Sequence, residues 1–215
     1  LFGGRSSTIF KADEQSLQEI YTTGNDFEVK TAAYLPNNFN CSNDDATIDD
    51  RSGKKGPEAE AVTIGQIEDK TFAFIGLERI GGIMVYDITN PEKTEFVNYI
   101  NSRDFSTDIG GDDSPEGIHF IAGNDSITGK PQLVVAYEVS GTVGVYDLTL
   151  QKNSDQSGDD KTDNPSQEPT VEETNNSSNT NTNNKNHSVN TGDASNIAIT
   201  IISLISTIVL ITILM

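Results

Sequence analysis

Residues 72–89 read FAFIGLERIGGIMVYDIT, and this stretch decides the fold class. Two short runs, residues 72–77 and 83–88, are rich in aromatic and β-branched side chains, and the segment between them ends in Gly81 and Gly82. Such runs joined by a glycine-containing turn predict a β-hairpin. No stretch of residues 1–150 keeps a helical period over three turns, although residues 12–20 would allow one or two turns. The folded part is therefore predicted to be all-β.

Residues 133–149, LVVAYEVSGTVGVYDLT, repeat this arrangement and also end in Tyr-Asp-x-Thr. A Pro-Glu pair precedes each hairpin, at residues 57–58 and 115–116. A Pro-Glu turn, three strands and a Tyr-Asp end form the outline of a β-propeller blade. With a closing strand over residues 8–11, the chain is predicted to supply about two and a half blades of a propeller. A β-sandwich and an open solenoid are the alternatives.

The C-terminal third of the chain has two different compositions. Residues 151–190 are mostly Asn, Ser, Thr, Asp, Glu and Pro, so they are predicted to be a disordered stalk. Residues 197–215 carry no charge, Gly or Pro, and as a helix they would be about 28 Å long, close to the ~30 Å hydrocarbon core of a bilayer. We predict three parts: a folded domain over 1–150, the stalk over 151–190, and an anchor over 191–215 with an apolar helix at 197–215.

Thr191 and Gly192 stand just before this apolar segment. The pair resembles a sortase sorting signal, in which the chain is cut between Thr and Gly and joined to the cell wall. Two departures are Ser188-Val189, where Leu-Pro is usual, and the lack of a basic cluster after the apolar run. A glycolipid anchor with small residues around Gly192 and a plain transmembrane helix are the alternatives. All three place residues 1–150 outside the cell.

Net charge, cysteine content and the start of the sequence limit the classes of protein to which the chain could belong. The formal net charge is −19, from 33 acidic and 14 basic side chains, and most of the acidic ones lie in residues 1–150. So acidic a surface repels phosphate backbones, which excludes nucleic-acid binding, and it favours divalent cations. Cys41 is the single cysteine, so no disulfide forms within the chain, and a small buried residue or an exposed one without a role is favoured over a reactive or intermolecular thiol. Because the sequence starts at Leu1 and has no signal peptide, we interpret it as a fragment that lacks its export signal.

Several segments together resemble a known family. They include FGGRSSTIF at 2–10, GPEAEAVTIG at 56–65, GLERIGGIMVYDIT at 76–89 and RDFSTDIGGDDSPEGIHFI at 103–121. These residues resemble the choice-of-anchor I family, which includes bacterial surface proteins related to mesenchyme-specific cell surface glycoproteins. The resemblance covers nearly all of residues 1–150. It implies an extracellular, propeller-like domain whose anchoring device varies between members, and it implies no established reaction.

Five glutamates form a candidate cation site. Glu58 and Glu116 occupy the matching Pro-Glu turns, Glu78 and Glu138 occupy matching strand ends, and Glu60 lies beside them. Equivalent positions of successive propeller blades converge around the axis, so these carboxylates are predicted to bind Ca²⁺ or Mg²⁺. The alternative is that they hydrogen-bond backbone amides in tight turns or form structural ion pairs. The Asp-rich loops at 44–50 and 104–113 lack EF-hand spacing and are expected to be solvated.

Two classes of function follow. The first is a surface-anchored adhesion or interaction module stabilised by Ca²⁺. The second is a metal-dependent phosphoesterase, in which Arg79 binds phosphate instead of pairing with a carboxylate. His119 is the sole histidine of residues 1–150, and its predicted strand makes it a core residue rather than a catalytic base. Since neither a nucleophile elbow nor a phosphate-binding glycine loop is present, the first function is favoured.

Overall fold

The computed structural model describes residues 5–152 and 197–203, and for residues 152 and 197–203 it describes the backbone. The elements in chain order are β1 (Thr8–Ala12), β2 (Leu17–Thr22), α1 (Asp26–Tyr34), β3 (Ala59–Ile67), β4 (Lys70–Leu77), β5 (Ile83–Asp87), a short 3-10 helix (Pro91–Lys93), β6 (Glu95–Ile100), β7 (Pro115–Ile121), β8 (Gln132–Tyr137), β9 (Thr142–Lys152) and β10 (Ile197–Ser203). The strands form one two-stranded sheet, β1–β2, and two four-stranded antiparallel sheets, β3–β4–β5–β6 and β7–β8–β9–β10. The described residues are therefore mostly β, as predicted.

The first four-stranded sheet is built around the hairpin predicted from residues 72–89. β4 and β5 are the central strands and are buried almost throughout, because a near-continuous apolar run suits a strand covered on both faces. The turn between them passes through Gly81 and Gly82, which have φ angles of +84° and +83°. A Cβ atom at Gly82 would lie 2.5 Å from the carbonyl oxygen of Ile100, so this position requires glycine.

The second four-stranded sheet contains the other predicted hairpin, β8–β9, which turns through Gly141 at a φ of +65°. β9 continues to Lys152, two residues beyond the predicted end of the folded domain. The fourth strand, β10, runs antiparallel to β9 with Ile197 opposite Lys152 and Ser203 opposite Tyr146.

The two sheets pack face to face through alternate residues of their central strands. One buried cluster contains Phe72, Phe74, Ile83 and Val85 from the first sheet and Leu133, Val135, Tyr146 and Leu148 from the second. Gly65 on β3 leaves space for the ring of Phe120 on β7. The rings of Phe74 and Phe120 stack with their centroids 6.0 Å apart. The contact between Gly65 and Phe120 places β3 beside β7, which are the first strands of the two sheets.

The outer face of the first sheet is covered by α1 and the loop that follows it. Phe27 on α1 packs edge-on against Tyr86, whose hydroxyl donates a 2.6 Å hydrogen bond to Asp26. Cys41 is fully buried in the same cluster, which is the first of the two arrangements expected from the sequence. The all-β prediction missed one element: α1 has nine residues, about two and a half turns, whereas residues 12–20 belong to the β1–β2 hairpin. α1 carries only two fully buried side chains, Phe27 and Thr31, so its periodicity is faint in the sequence.

Two larger predictions are not confirmed. Within the described residues the sheets do not close into a ring, so the propeller stays a prediction. The apolar helix at 197–215 is not found over Ile197–Ser203, which form a strand: this segment is rich in β-branched isoleucine and threonine, and it pairs with the edge of β9. Residues 204–215 lie outside the described residues, as do the predicted stalk beyond Lys152 and the processing pair Thr191 and Gly192. No helix in the described part of the chain is long and apolar enough to cross a membrane.

Candidate functional site

Three of the predicted glutamates meet at one corner of the first sheet. Glu58 immediately precedes β3, Glu60 lies at an irregularity between Ala59 and Ala61, and Glu78 immediately follows β4. Because β3 and β4 are antiparallel, the start of one lies beside the end of the other. The backbone N–H of Glu78 donates a 2.8 Å hydrogen bond to the carbonyl oxygen of Glu58, which fixes the two residues together.

The carboxylates of these three residues converge. One oxygen atom from each of Glu58, Glu60 and Glu78 lies within 4.8 Å of the other two. Glu58 and Glu78 are buried, at 5% and 6% exposure, whereas Glu60 is exposed. The corner therefore combines two buried carboxylates with one that solvent reaches, an oxygen-rich set of the kind that Ca²⁺ and Mg²⁺ prefer.

Basic side chains surround one member of the cluster, Glu58. Its Oε2 accepts hydrogen bonds from Arg79 Nε at 2.8 Å and from Arg51 Nη2 at 3.0 Å, and Lys55 contacts its Oε1. Burial alone would raise the pKa of Glu58, but the hydrogen bonds from Lys55 and Arg79 outweigh burial and lower it. Glu58 is therefore an ionised carboxylate already neutralised by protein cations.

Glu78 has the opposite electrostatic character. Burial and, after it, a hydrogen bond with Glu60 raise the pKa of its carboxyl group to about 7, although the neighbouring Arg79 opposes the rise. Arg79 Nη2 lies 3.0 Å from Glu78 Oε1. Near neutral pH, the Glu78 carboxyl group is therefore partly protonated, beside Glu60, at the place where a cation would be held by the two carboxylates.

The cluster is connected to the second sheet through Asn43 and Ser114. The Asn43 amide donates to Ser114 Oγ at 2.7 Å and to Glu78 Oε1 at 3.3 Å, and its oxygen accepts from Arg79 at 2.6 Å. Ser114 Oγ in turn donates to the carbonyl oxygen of Glu78 at 3.0 Å. The loop after α1 therefore clamps the end of β4 to the start of β7. Neither Asn43 nor Ser114 was expected from the sequence. Asn43 is 35 residues away from its partner Glu78 and 71 residues away from its partner Ser114.

Arg103 is a buried residue that contacts the backbone next to the glutamate cluster. Its Nη1 donates to the carbonyl oxygens of Ser42 at 2.8 Å and Arg79 at 2.9 Å, and its Nε lies 3.2 Å from Oδ2 of Asp113. Both ionic side chains are fully buried. Burial raises the pKa of Asp113 to about 6, although Arg103 opposes the rise. The loop at 104–113 was expected to be solvated, and for Asp113 that expectation was wrong, because the guanidinium of Arg103 compensates its burial.

Glu116 and Glu138 do not join the cluster found in the described residues; both are exposed. The predicted equivalence of Glu58 with Glu116 was also wrong by two positions. The register irregularity lies between Ala59 and Ala61 on β3 and between Pro115 and Gly117 on β7, so Glu60 corresponds to Glu116.

The hydrogen bonds agree with this register. The N–H of Glu138 donates to the carbonyl oxygen of Ser114 at 2.8 Å, as that of Glu78 does to Glu58. Ser114, which shares a positive φ with Glu58, therefore occupies the position equivalent to Glu58, where Glu116 was expected. His119 lies on β7, as predicted, but its side chain is exposed rather than part of the core.

Residues 1–91 match the family model of the Choice-of-anchor I domain. This part of the protein carries a choice-of-anchor I domain. The resemblance noted from the sequence is confirmed for this range, which includes all three clustered glutamates and Arg79. The choice-of-anchor I match ends within the first four-stranded sheet, before β6.

Two curated proteins are similar to the chain. Gigasin-3a of Magallana gigas is 29% identical over 166 residues, which cover 68% of this chain and 56% of that protein. A mesenchyme-specific cell surface glycoprotein of Strongylocentrotus purpuratus is 23% identical over 105 residues, which cover 44% of this chain and 14% of that protein. The chain thus matches about half of the first relative's length and a small part of the second's. No solved structure matches the chain.

Proposed function

We propose that this protein is a cell-surface-attached extracellular module that acts through adhesion or another binding interaction. The observation that carries the proposal is the choice-of-anchor I domain over residues 1–91. The similarity to a protein named as a cell surface glycoprotein supports the same location. In this proposal a propeller-type β domain stands on the polar stalk and is held by the C-terminal anchor, with Thr191 and Gly192 as the processing pair.

The location is tested with antibodies raised against residues 5–152. They should label intact cells of the source organism without permeabilisation, and brief treatment of those cells with protease should remove the signal. Labelling that appears only after permeabilisation would overturn the surface location. A cytosolic protein probed in the same samples controls for leakage.

We further propose that the glutamate corner binds Ca²⁺. Glu60 and Glu78 would supply the ligands, because the raised pKa of Glu78 leaves a proton beside Glu60 that a cation can replace, whereas Glu58 is already neutralised by three basic side chains. Extracellular Ca²⁺ modules bind the ion at about 0.1–1 mM, so calorimetry at pH 7.5 should detect weak binding. Glu60→Gln should abolish it, and Glu138→Gln, a matched change at an exposed strand end, should leave it intact. Equal binding in both variants, or no binding by the unmodified protein, would overturn the proposed Ca²⁺ site and leave the proposal of an interaction module without an ion.

The phosphoesterase alternative depends on Arg79 binding phosphate. All three of its guanidinium nitrogens have protein partners: Nε contacts Glu58, Nη1 contacts Asn43, and Nη2 contacts Glu78. A phosphate would have to displace buried carboxylates from this guanidinium. The geometry therefore supports a structural role for Arg79 and favours the interaction module.

A further inference from the structure

β9 has eleven residues, whereas β8, the strand beside it in the sheet, has six. β8 pairs with residues 142–147 of β9, and β9 then continues for five more residues to Lys152. On its opposite edge β9 pairs with β10 over residues 146–152, so the five residues that extend beyond β8 take their strand pairing from β10. Strand edges of this kind are generally covered or protected in proteins, and here β10 lies along one of them.

The first sheet obtains its fourth strand locally, since β6 begins at Glu95, shortly after β5 ends at Asp87. The second sheet does not. After β9 the sequence enters the polar stretch up to residue 190, which has very few β-forming residues, and the fourth strand is supplied by Ile197–Ser203. A long intervening segment is compatible with this pairing, because the entropy of loop closure grows only with the logarithm of loop length.

Ile197–Ser203 are also the first seven residues of the apolar run at 197–215 that the sequence analysis assigns to the membrane anchor. In the sheet, the backbone of this segment forms its hydrogen bonds with β9. In the hydrocarbon core of a bilayer, it would have to form all of them internally, as a helix. The two arrangements use the same backbone groups, so one molecule cannot adopt both at once.

We propose that the pairing of Ile197–Ser203 with β9 is a switch, in which the domain retains its own anchor segment as a strand until a lipid bilayer takes it up. The proposal rests on the proposed C-terminal membrane anchor. A bilayer shifts the equilibrium only by binding the released segment better than the paired one, so holding the strand in place should suppress membrane binding. Release would expose the end of β9, where Leu150 packs against the core between the sheets.

The test is a reversible covalent lock in the full chain. Thr149 is exposed and lies directly opposite Thr200, so Thr149→Cys with Thr200→Cys should form a disulfide. Cys41 should not compete, because it is buried and burial raises the pKa of its thiol to about 11. The control pair, Thr149→Cys with Ile202→Cys, is displaced by two residues on the same face and should cross-link poorly. Binding is measured by flotation with phosphatidylcholine vesicles, which avoid repulsion from the acidic protein.

The oxidised Thr149–Thr200 variant should float with vesicles about tenfold less than the same sample after reduction, while the unmodified protein should not respond to reductant. Equal cross-linking of the control pair would overturn the register, and a cross-link between two chains would overturn an intramolecular switch. Vesicle binding that is equal in the oxidised and reduced states would overturn the switch but retain the anchor. Absence of binding in both states would overturn the membrane anchor itself, and the switch with it.

Discussion

Arg103 Nε lies 3.2 Å from Asp113 Oδ2, and neither side chain is exposed to solvent. The other nitrogens of Arg103 bind backbone carbonyl oxygens of the loop after α1 and of Arg79, so one internal cation joins the loop at 104–113 to the glutamate corner. A buried pair of this kind contributes little net stability when intact, but removing one partner leaves the other charge buried without a counter-charge.

Replacing Arg103 should therefore destabilise the protein strongly. Arg103→Met leaves the Asp113 carboxylate buried without its cation, and we expect the free energy of unfolding to fall by about 3–5 kcal/mol. Urea denaturation followed by circular dichroism measures it, since the chain has no tryptophan. Lys54→Met is the matched control: it removes an exposed pair with Asp50 and should cost less than about 1 kcal/mol.

A second substitution separates charge from packing. Adding Asp113→Asn to Arg103→Met removes the stranded charge, so the double variant should recover part of the lost stability. If Arg103→Met costs no more than Lys54→Met, the buried pair is not the element that holds this loop.

Stability should decline as the pH rises towards neutrality. The pKa of Glu78 is raised from 4.5 to about 7, so the native state binds its proton more tightly than the unfolded chain does. The free energy of unfolding therefore falls between about pH 4.5 and pH 7. Asp113, whose pKa is raised to about 6, adds a decline of the same sign that is complete at lower pH. The part of the decline between pH 6 and pH 7 is assigned to Glu78.

Urea midpoints at half-unit pH steps test this assignment. Glu78→Gln should flatten the curve between pH 6 and pH 7, because an amide does not ionise, whereas Glu138→Gln at the exposed equivalent position should leave the slope unchanged. An unaltered slope in Glu78→Gln would mean that another group titrates there.

The contact between the sheets gives a steric prediction. A Cβ atom at Gly65 would lie 2.3 Å from the ring of Phe120, so Gly65→Ala must push the two sheets apart or displace the ring. We expect a loss of about 1–3 kcal/mol in the free energy of unfolding, measured by urea denaturation. Gly53→Ala, where a Cβ meets no atom within 4 Å, should change stability by less than about 0.5 kcal/mol. Similar losses in both variants would argue against close packing of β3 on β7.

Local patterns predicted the hairpins well and the elements between them poorly. β4–β5 and β8–β9 could be recognised because apolar runs and glycine turns act over a few residues. α1 was missed because it contributes only two fully buried side chains to the outer face of the first sheet. Ile197–Ser203 were interpreted as the beginning of a helix, since an apolar run of that length satisfies a bilayer as well as a sheet edge does.

The glutamate corner shows the same division. Glu58, Glu60 and Glu78 were predicted to share a site because equivalent positions of propeller blades converge, whereas they meet because a strand and its antiparallel partner bring them together within twenty-one residues of chain. The matching of Glu58 with Glu116 failed because Pro-Glu pairs were aligned by identity, whereas the backbone irregularities at Glu60 and Glu116 set the register. Asn43 and Arg103 were not predicted, since each acts on partners far away in the sequence.

The β class, the two hairpins, the acidic surface and the resemblance to the choice-of-anchor I family could be predicted from the sequence, because they depend on residue types and short-range spacing. Only the tertiary structure decided which carboxylates meet, which of them are neutralised by Arg51, Lys55 and Arg79, and that Ile197–Ser203 complete a sheet. Those outcomes depend on strand register, burial and contacts between distant segments, and these exist only in the folded chain.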